Sequence, residues 1–154
     1  MLAWNRLLVV GSVAGLLATL GACGGSSTAP SPRLDLTGTW SGTLGQPGSG
    51  SALRLTWVAT HTGNIAAGVA TLVKPADNVP GRGAMTGVLD GDRLLLTYAI
   101  PPDSIQGFPR CEIAGIGNAT ATNASINGTL TLMFRNCDGT GLDAPSTNDL
   151  RLTK

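Results

Sequence analysis

Eight short runs in which apolar and polar side chains alternate, each bounded by glycine, proline, asparagine or aspartate, restrict this chain to an all-β fold. The runs cover 36–44, 52–61, 65–73, 83–89, 92–100, 111–121, 126–136 and 149–154. Alternation gives each strand one apolar face, and a strand with one apolar face needs a core on that side alone. Twenty-two glycines and only 4% aromatic residues suit tightly turned strands, and no helix is expected after residue 22. An even number of short, sequentially connected antiparallel strands closes most simply into an up-and-down barrel, which leaves no exposed edge. The expectation is therefore a single antiparallel up-and-down β-barrel of eight strands over 34–154, with the last strand pairing with the first. A sequence of about 120 residues supports one core and not two.

Turn residues set the register. Thr62-Gly63-Asn64, Asp90-Gly91 and the stretch around Asn123 read as tight hairpin turns, all at one end of the barrel. The longer links, 45–51, 74–82, 101–110 and 137–148, fall at the other end. With Asp90-Gly91 as the loop, Leu89 opposes Asp92, Gly87 opposes Leu94 and Met85 opposes Leu96, so Leu94, Leu96 and Tyr98 share the inner face. A hairpin on Thr62-Gly63-Asn64 sets Trp57 across from Ala70, with Gly68 adjacent, large against small as a curved interior requires. Centring the next hairpin on Ala124 sets Cys111 opposite Cys137, places Ala114 and Ile116 beside Leu132 and Phe134 inside, and carries Glu112 inward.

The N-terminal segment has a different character. Arg6, an apolar stretch of about fourteen residues and a small-residue site are the parts of a secretory signal, and the stretch is short for a bilayer span. Leu20-Gly21-Ala22-Cys23 resembles the bacterial lipobox, which implies cleavage before Cys23, a signal peptide over 1–22 and acylation of that cysteine. Several acyl chains, at about 0.8 kcal/mol per buried methylene, make a stable anchor. Residues 23–33, rich in Gly, Ser and Pro, read as a flexible tether. Gly24 after the cysteine, by the sorting pattern of such lipoproteins, implies the outer membrane of a Gram-negative cell, facing the periplasm or the cell surface. In that oxidising compartment the remaining cysteines, Cys111 and Cys137, are expected to form a disulfide, contributing roughly 3 kcal/mol.

Charge excludes several partners. Ten basic residues stand against nine acidic, and removing Arg6 with the signal leaves nine against nine, so neither a nucleic-acid footprint nor a polybasic membrane patch is present.

Leu36-Thr37-Gly38-Thr39-Trp40 resembles the Gly-x-Trp opening of the calycin superfamily, the lipocalin- and streptavidin-like barrels. The resemblance implies that Trp40 packs across the closed end of the barrel. The polar residue that avidins place two positions later is Gly42 here, and of a tryptophan-rich cage only Trp57 remains, so biotin is not the expected ligand. The domain is also similar to uncharacterised bacterial envelope lipoproteins with Gly-Thr-Trp-Ser-Gly-Thr openings.

Function is expected at the long-loop end, because binding residues concentrate on loops held by a rigid scaffold. Trp57, Tyr98, Glu112 and Phe134 are the candidate ligand-binding residues: two aromatic faces at the mouth, a carboxylate, and a deeper apolar wall. Turned inward, Glu112 would need a hydrogen bond, a base such as Arg110 or a polar ligand. The expected function is a lipid-anchored, non-enzymatic barrel binding a small apolar or amphipathic ligand or an envelope component. The alternative is a protein-interaction module, such as an inhibitor of an envelope hydrolase, whose long loops insert into a partner, with Asp103 or Gln106 as loop positions whose substitution tests it. No cofactor or metal is implied. His61, the single histidine, reads as a solvated turn residue; Asp90 and Asp92 read as turn formers; Asp138-Gly139 and Asp143 lack the spaced acidic run of a calcium loop.

Overall fold

The computed structural model describes residues 33–46, 52–76, 78–107, 109–137 and 145–154. Eight strands follow in order: β1 Gly38–Leu44, β2 Leu53–Thr62, β3 Ile65–Lys74, β4 Val79–Asp90, β5 Arg93–Ile100, β6 Glu112–Ala121, β7 Ser125–Arg135 and β8 Ser146–Thr153. Each pairs antiparallel with the next, and β8 returns to β1, closing the barrel. The expected signal peptide over 1–22, Cys23 and most of the expected tether over 23–33 lie outside the described residues, as do Asp138, Gly139 and Asp143.

Inward positions carry the large apolar side chains of the core, although Val58, Ile65, Val69, Val88, Leu95, Ile116 and Met133 face outward, and no charged residue is buried among the described residues. Large and small alternate around the interior: Trp57 stands opposite Ala70, Tyr98 opposite both Met85 and Gly115, and Leu96 between Gly87 and Gly117. A barrel of this strand number is just wide enough to be filled in this way. Several inward glycines bring strands into unusually close approach: a Cβ at Gly68 would fall onto the Val58 carbonyl oxygen, and one at Gly83 onto that of Ala99. Glycine at such points lets a sheet bend into a cylinder.

The hairpin from β2 to β3 has the expected register, Trp57 facing Ala70. The hairpin from β4 to β5 differs by two residues. Asp90 pairs with Arg93, Leu89 with Leu94, Gly87 with Leu96 and Met85 with Tyr98, because the loop is Gly91-Asp92 and not Asp90-Gly91. Gly91, at φ 64°, takes the first loop position, where a two-residue hairpin of this hand favours glycine. The parity is unchanged, so Leu94, Leu96 and Tyr98 still face inward.

From β6 to β7 the displacement is one residue, and one residue reverses a face. Glu112 pairs with Arg135, Ile113 with Phe134 and Gly115 with Leu132. The loop is Asn123-Ala124, held by Thr122 Oγ1, which accepts hydrogen bonds from the Ala124 and Ser125 N–H groups at 3.2 and 2.9 Å. Leu132 lies inward as expected and Phe134 is partly buried against the core, but Glu112, Ala114 and Ile116 lie on the outer face. The Cys111–Cys137 disulfide forms nonetheless, with Cα atoms 4.2 Å apart. Asn136, at φ 57°, ends the strand and redirects the chain, so the sulfur of Cys137 reaches Cys111 although the ladder has stopped.

Two strands are longer than expected. β4 begins at Val79, leaving a link of only 75–78 after β3, and β8 begins at Ser146. Pro80 is tolerated because at that level β4 pairs with β3 alone, its ladder with β5 starting only at Ala84.

Candidate functional site

The strand ends that the four longer links join lie at one end of the barrel, and the site begins there. A cavity of about 270 Å³ opens at this mouth, walled by inward residues at the strand ends, chiefly Leu72, Ile100, Ile113 and Phe134, and by the Cys111–Cys137 bridge. The link after β5 folds back across it: Ile105 bridges Gly81 of β4, and the Asp103 N–H donates to the Pro109 carbonyl at 2.7 Å. Gly81 makes this fit possible, since a Cβ there would lie 2.7 Å from Ile100 Cδ1 and 3.2 Å from Ile105 Cγ1. Among the described residues, Lys74 is the one charged residue on the cavity wall.

The sequence-derived residues divide. Phe134 lines the cavity. Trp57 and Tyr98 sit deeper, 0% and 2% exposed, Tyr98 being the next inward residue on β5 below Ile100. Among the described residues, Trp57 Nε1 and Tyr98 Oη have no protein partner in this otherwise apolar interior. Glu112 does not join them. It lies on the outer wall, its carboxylate 3.5 Å from the Arg135 guanidinium, and Arg110, the base expected beside it, is exposed. The one-residue register difference accounts for this correction. Ile105, Gly81 and Ile100 belong to the cavity without having been singled out. The available signal was Ile105, a lone β-branched apolar residue within a Pro- and Gly-rich link.

Burial pushes the Tyr98 phenol well above its ordinary pKa of 10.0. Above pH 10 the unfolded chain releases this proton while the folded chain retains it, so stability declines as pH rises. The expected loss is about 1.4 kcal/mol by pH 11. Tyr98 is the single tyrosine. Tyrosinate absorbance therefore reports it alone, and should be missing from the folded protein at pH 11. Tyr98→Phe should remove the alkaline destabilisation; a variant that still loses the same stability would refute the assignment.

The opposite end is closed. Residues 33–37 cross it: Leu36 is fully buried, its carbonyl accepting from Trp40 Nε1 at 2.8 Å, and Trp40 is fully buried above it. Lys154 Nζ lies 5.5 Å from the Trp40 ring centroid. His61 is not a solvated turn residue, its side chain being 7% exposed. Its Nδ1 accepts the Leu36 N–H at 3.3 Å and lies 3.7 Å from Asp35 Oδ1. Hydrogen bonds from Thr37 hold the Asp35 carboxyl below its ordinary range. Among the described residues no group of three His, Cys, Asp or Glu side chains could hold a metal ion.

Comparison of this chain with protein families, with curated proteins and with solved structures found no match.

Proposed function

We propose that this chain is a lipid-anchored, non-enzymatic envelope barrel of calycin-like type that binds a small apolar or amphipathic ligand at its long-loop end. The observation that carries the reading is the apolar cavity at the mouth of an otherwise filled and closed barrel. Its 270 Å³ is just under the size of drug-like sites and matches about nine water volumes, room for a chain of roughly eight to ten carbons. The unpartnered Trp57 Nε1 and Tyr98 Oη one layer below favour a ligand that brings a hydrogen-bond acceptor.

Decanoate is the probe of choice. Titration of residues 33–154 should give a Kd on the order of tens of micromolar, the gain from burying its methylenes offset by the loss of ligand freedom. Ile105→Trp, which fills the cavity from its lid, should weaken binding at least tenfold; equal binding by that variant would contradict the reading. The anchor half rests on Leu20-Gly21-Ala22-Cys23. Cys23→Ser should move the protein from the membrane fraction to the soluble or signal-retaining fraction and abolish palmitate labelling; unchanged labelling would contradict it.

A second reading, an inhibitor or other protein-interaction module of the envelope, is favoured by the braced link after β5. Asp103, at φ 66°, and Gln106 are both presented to solvent there on a loop tied at two points. Loss of partner capture on Asp103→Ala with decanoate binding intact would favour this reading.

A further inference from the structure

The outside of the barrel is not uniformly polar. Val58, Val69, Ala84, Ala99, Ala114 and Met133 are direct cross-strand partners in one continuous row, from β2 to β7, all on the outer face. On β4, β5 and β6 the outer rows below it hold Thr86, Thr97 and Ile116, then Val88, Leu95 and Asn118. No charged residue interrupts this wall between Arg82 and Glu112 near the mouth and Asp90 and Arg93 at the tight turns. The opposite wall differs, with Asp149 and Arg151 on β8 and Arg54 on β2 pointing to solvent.

The shape of the wall matters as much as its polarity. Alanines occupy the crest over β4, β5 and β6, while the larger Val69 and Met133 stand on the flanks, so a convex cylinder becomes level, with a shallow depression across the alanines. A level apolar face is one on which a second sheet can lie, as in aligned sheet packing.

The charges at its upper border supply the occupant. Arg82 on β4 and Glu112 on β6 flank Pro101, which follows β5, in the row just above the alanines. A two-fold axis running along β5 between two facing copies exchanges the β4 and β6 sides. It therefore places Arg82 of each copy over Glu112 of its mate. Arg82 has no ion pair among the described residues, and Glu112, half-exposed beside Arg135, retains an open side toward solvent. The patch is thus complementary to itself, the requirement of an isologous dimer.

We infer that the outer β4–β5–β6 wall is a homodimer interface, built on Ala84, Ala99 and Ala114 and keyed by reciprocal Arg82–Glu112 pairs. The wall offers on the order of 500 Å² per copy from strand spacing and length, below the roughly 800 Å² of standard interfaces, so association is weak and reversible. This inference is independent of ligand binding at the mouth.

Cross-linking in the full chain, carrying Cys23→Ser so that no other free thiol competes, tests it. Ala99→Cys sits beside the axis, and a short bismaleimide reagent able to span the ~10 Å between packed sheets should link two copies. Arg151→Cys, on the opposite wall, should not. Adding Arg82→Glu should reduce the Ala99→Cys cross-linked fraction at least fivefold, and adding Glu112→Arg as well should restore it. Equal linkage from both cysteines, no linkage from Ala99→Cys, or a reversed pair no better than the single reversal would each overturn the inference. Linkage of Ala99→Cys to a different protein in place of a second copy would overturn it too.

Discussion

Reduction of the Cys111–Cys137 bridge should lower the stability of the barrel by about 3.5 kcal/mol, the loop-closure value for a separation of 26 residues. The bridge joins the chain at the mouth, just before β6 and just after β7, where the ladder has ended. Among the described residues, the other ties at that level are the last rungs of the β6–β7 ladder, Glu112 with Arg135 and Ile113 with Phe134, and the Glu112–Arg135 side-chain contact, which is half-exposed and therefore weak. Loss should appear as a lower denaturant midpoint, and in hydrogen exchange as early opening of Ile113 and Phe134. Amides beside the Asn123-Ala124 turn should keep their protection. The bridge also lines the cavity, so reduction should weaken decanoate binding. A midpoint unchanged by reductant would mean that the closed barrel does not depend on this clasp.

Trp40→Ala should destabilise by about 3–5 kcal/mol, the range for truncating a fully buried large aromatic residue. Trp40 is 0% exposed, stands directly across from the equally buried Trp57, and donates to the Leu36 carbonyl. Truncation opens a cavity beside Trp57 and leaves that carbonyl unpaired under the segment closing the barrel. Trp40→Phe separates the two effects: most of the packing survives and the unpaired carbonyl remains, for an expected loss of about 1–2 kcal/mol. Denaturant titrations of the two variants measure both. A loss under 1 kcal/mol for Trp40→Ala would show that the closed end is not held by this side chain.

Strand number, order and closure were legible because they depend on a period of two, and that period survives errors at the ends. Leu94, Leu96 and Tyr98 face inward although their partners differ from those expected, since the displacement at Gly91 was an even number of residues. The same kind of error at Asn123-Ala124 was odd, and it moved Glu112 from the interior to the outer wall. Sequence alone could not choose between a two-residue and a three-residue loop there, because the choice rests on the Thr122 hydroxyl accepting two backbone N–H groups. The disulfide was correctly paired on an incorrect register: Asn136, in the left-handed region, makes up the odd residue. His61 was misread because its burial comes from residues 33–37 folding across the closed end, a contact with no local signature. The cavity was legible only in part. Phe134 belonged to a strand end, but Ile105 enters through a loop whose path depends on the room left by Gly81.

Methyl-resolved NMR during decanoate titration tests the proposed entry of an apolar ligand at the long-loop mouth of the closed barrel. Shifts should concentrate on Ile105, Ile113, Ile100 and Leu72, with Ile126 and the methyls near the Asn123-Ala124 turn unmoved. Saturable shifts centred on Leu36 and Ile126, or none at millimolar decanoate, would contradict it.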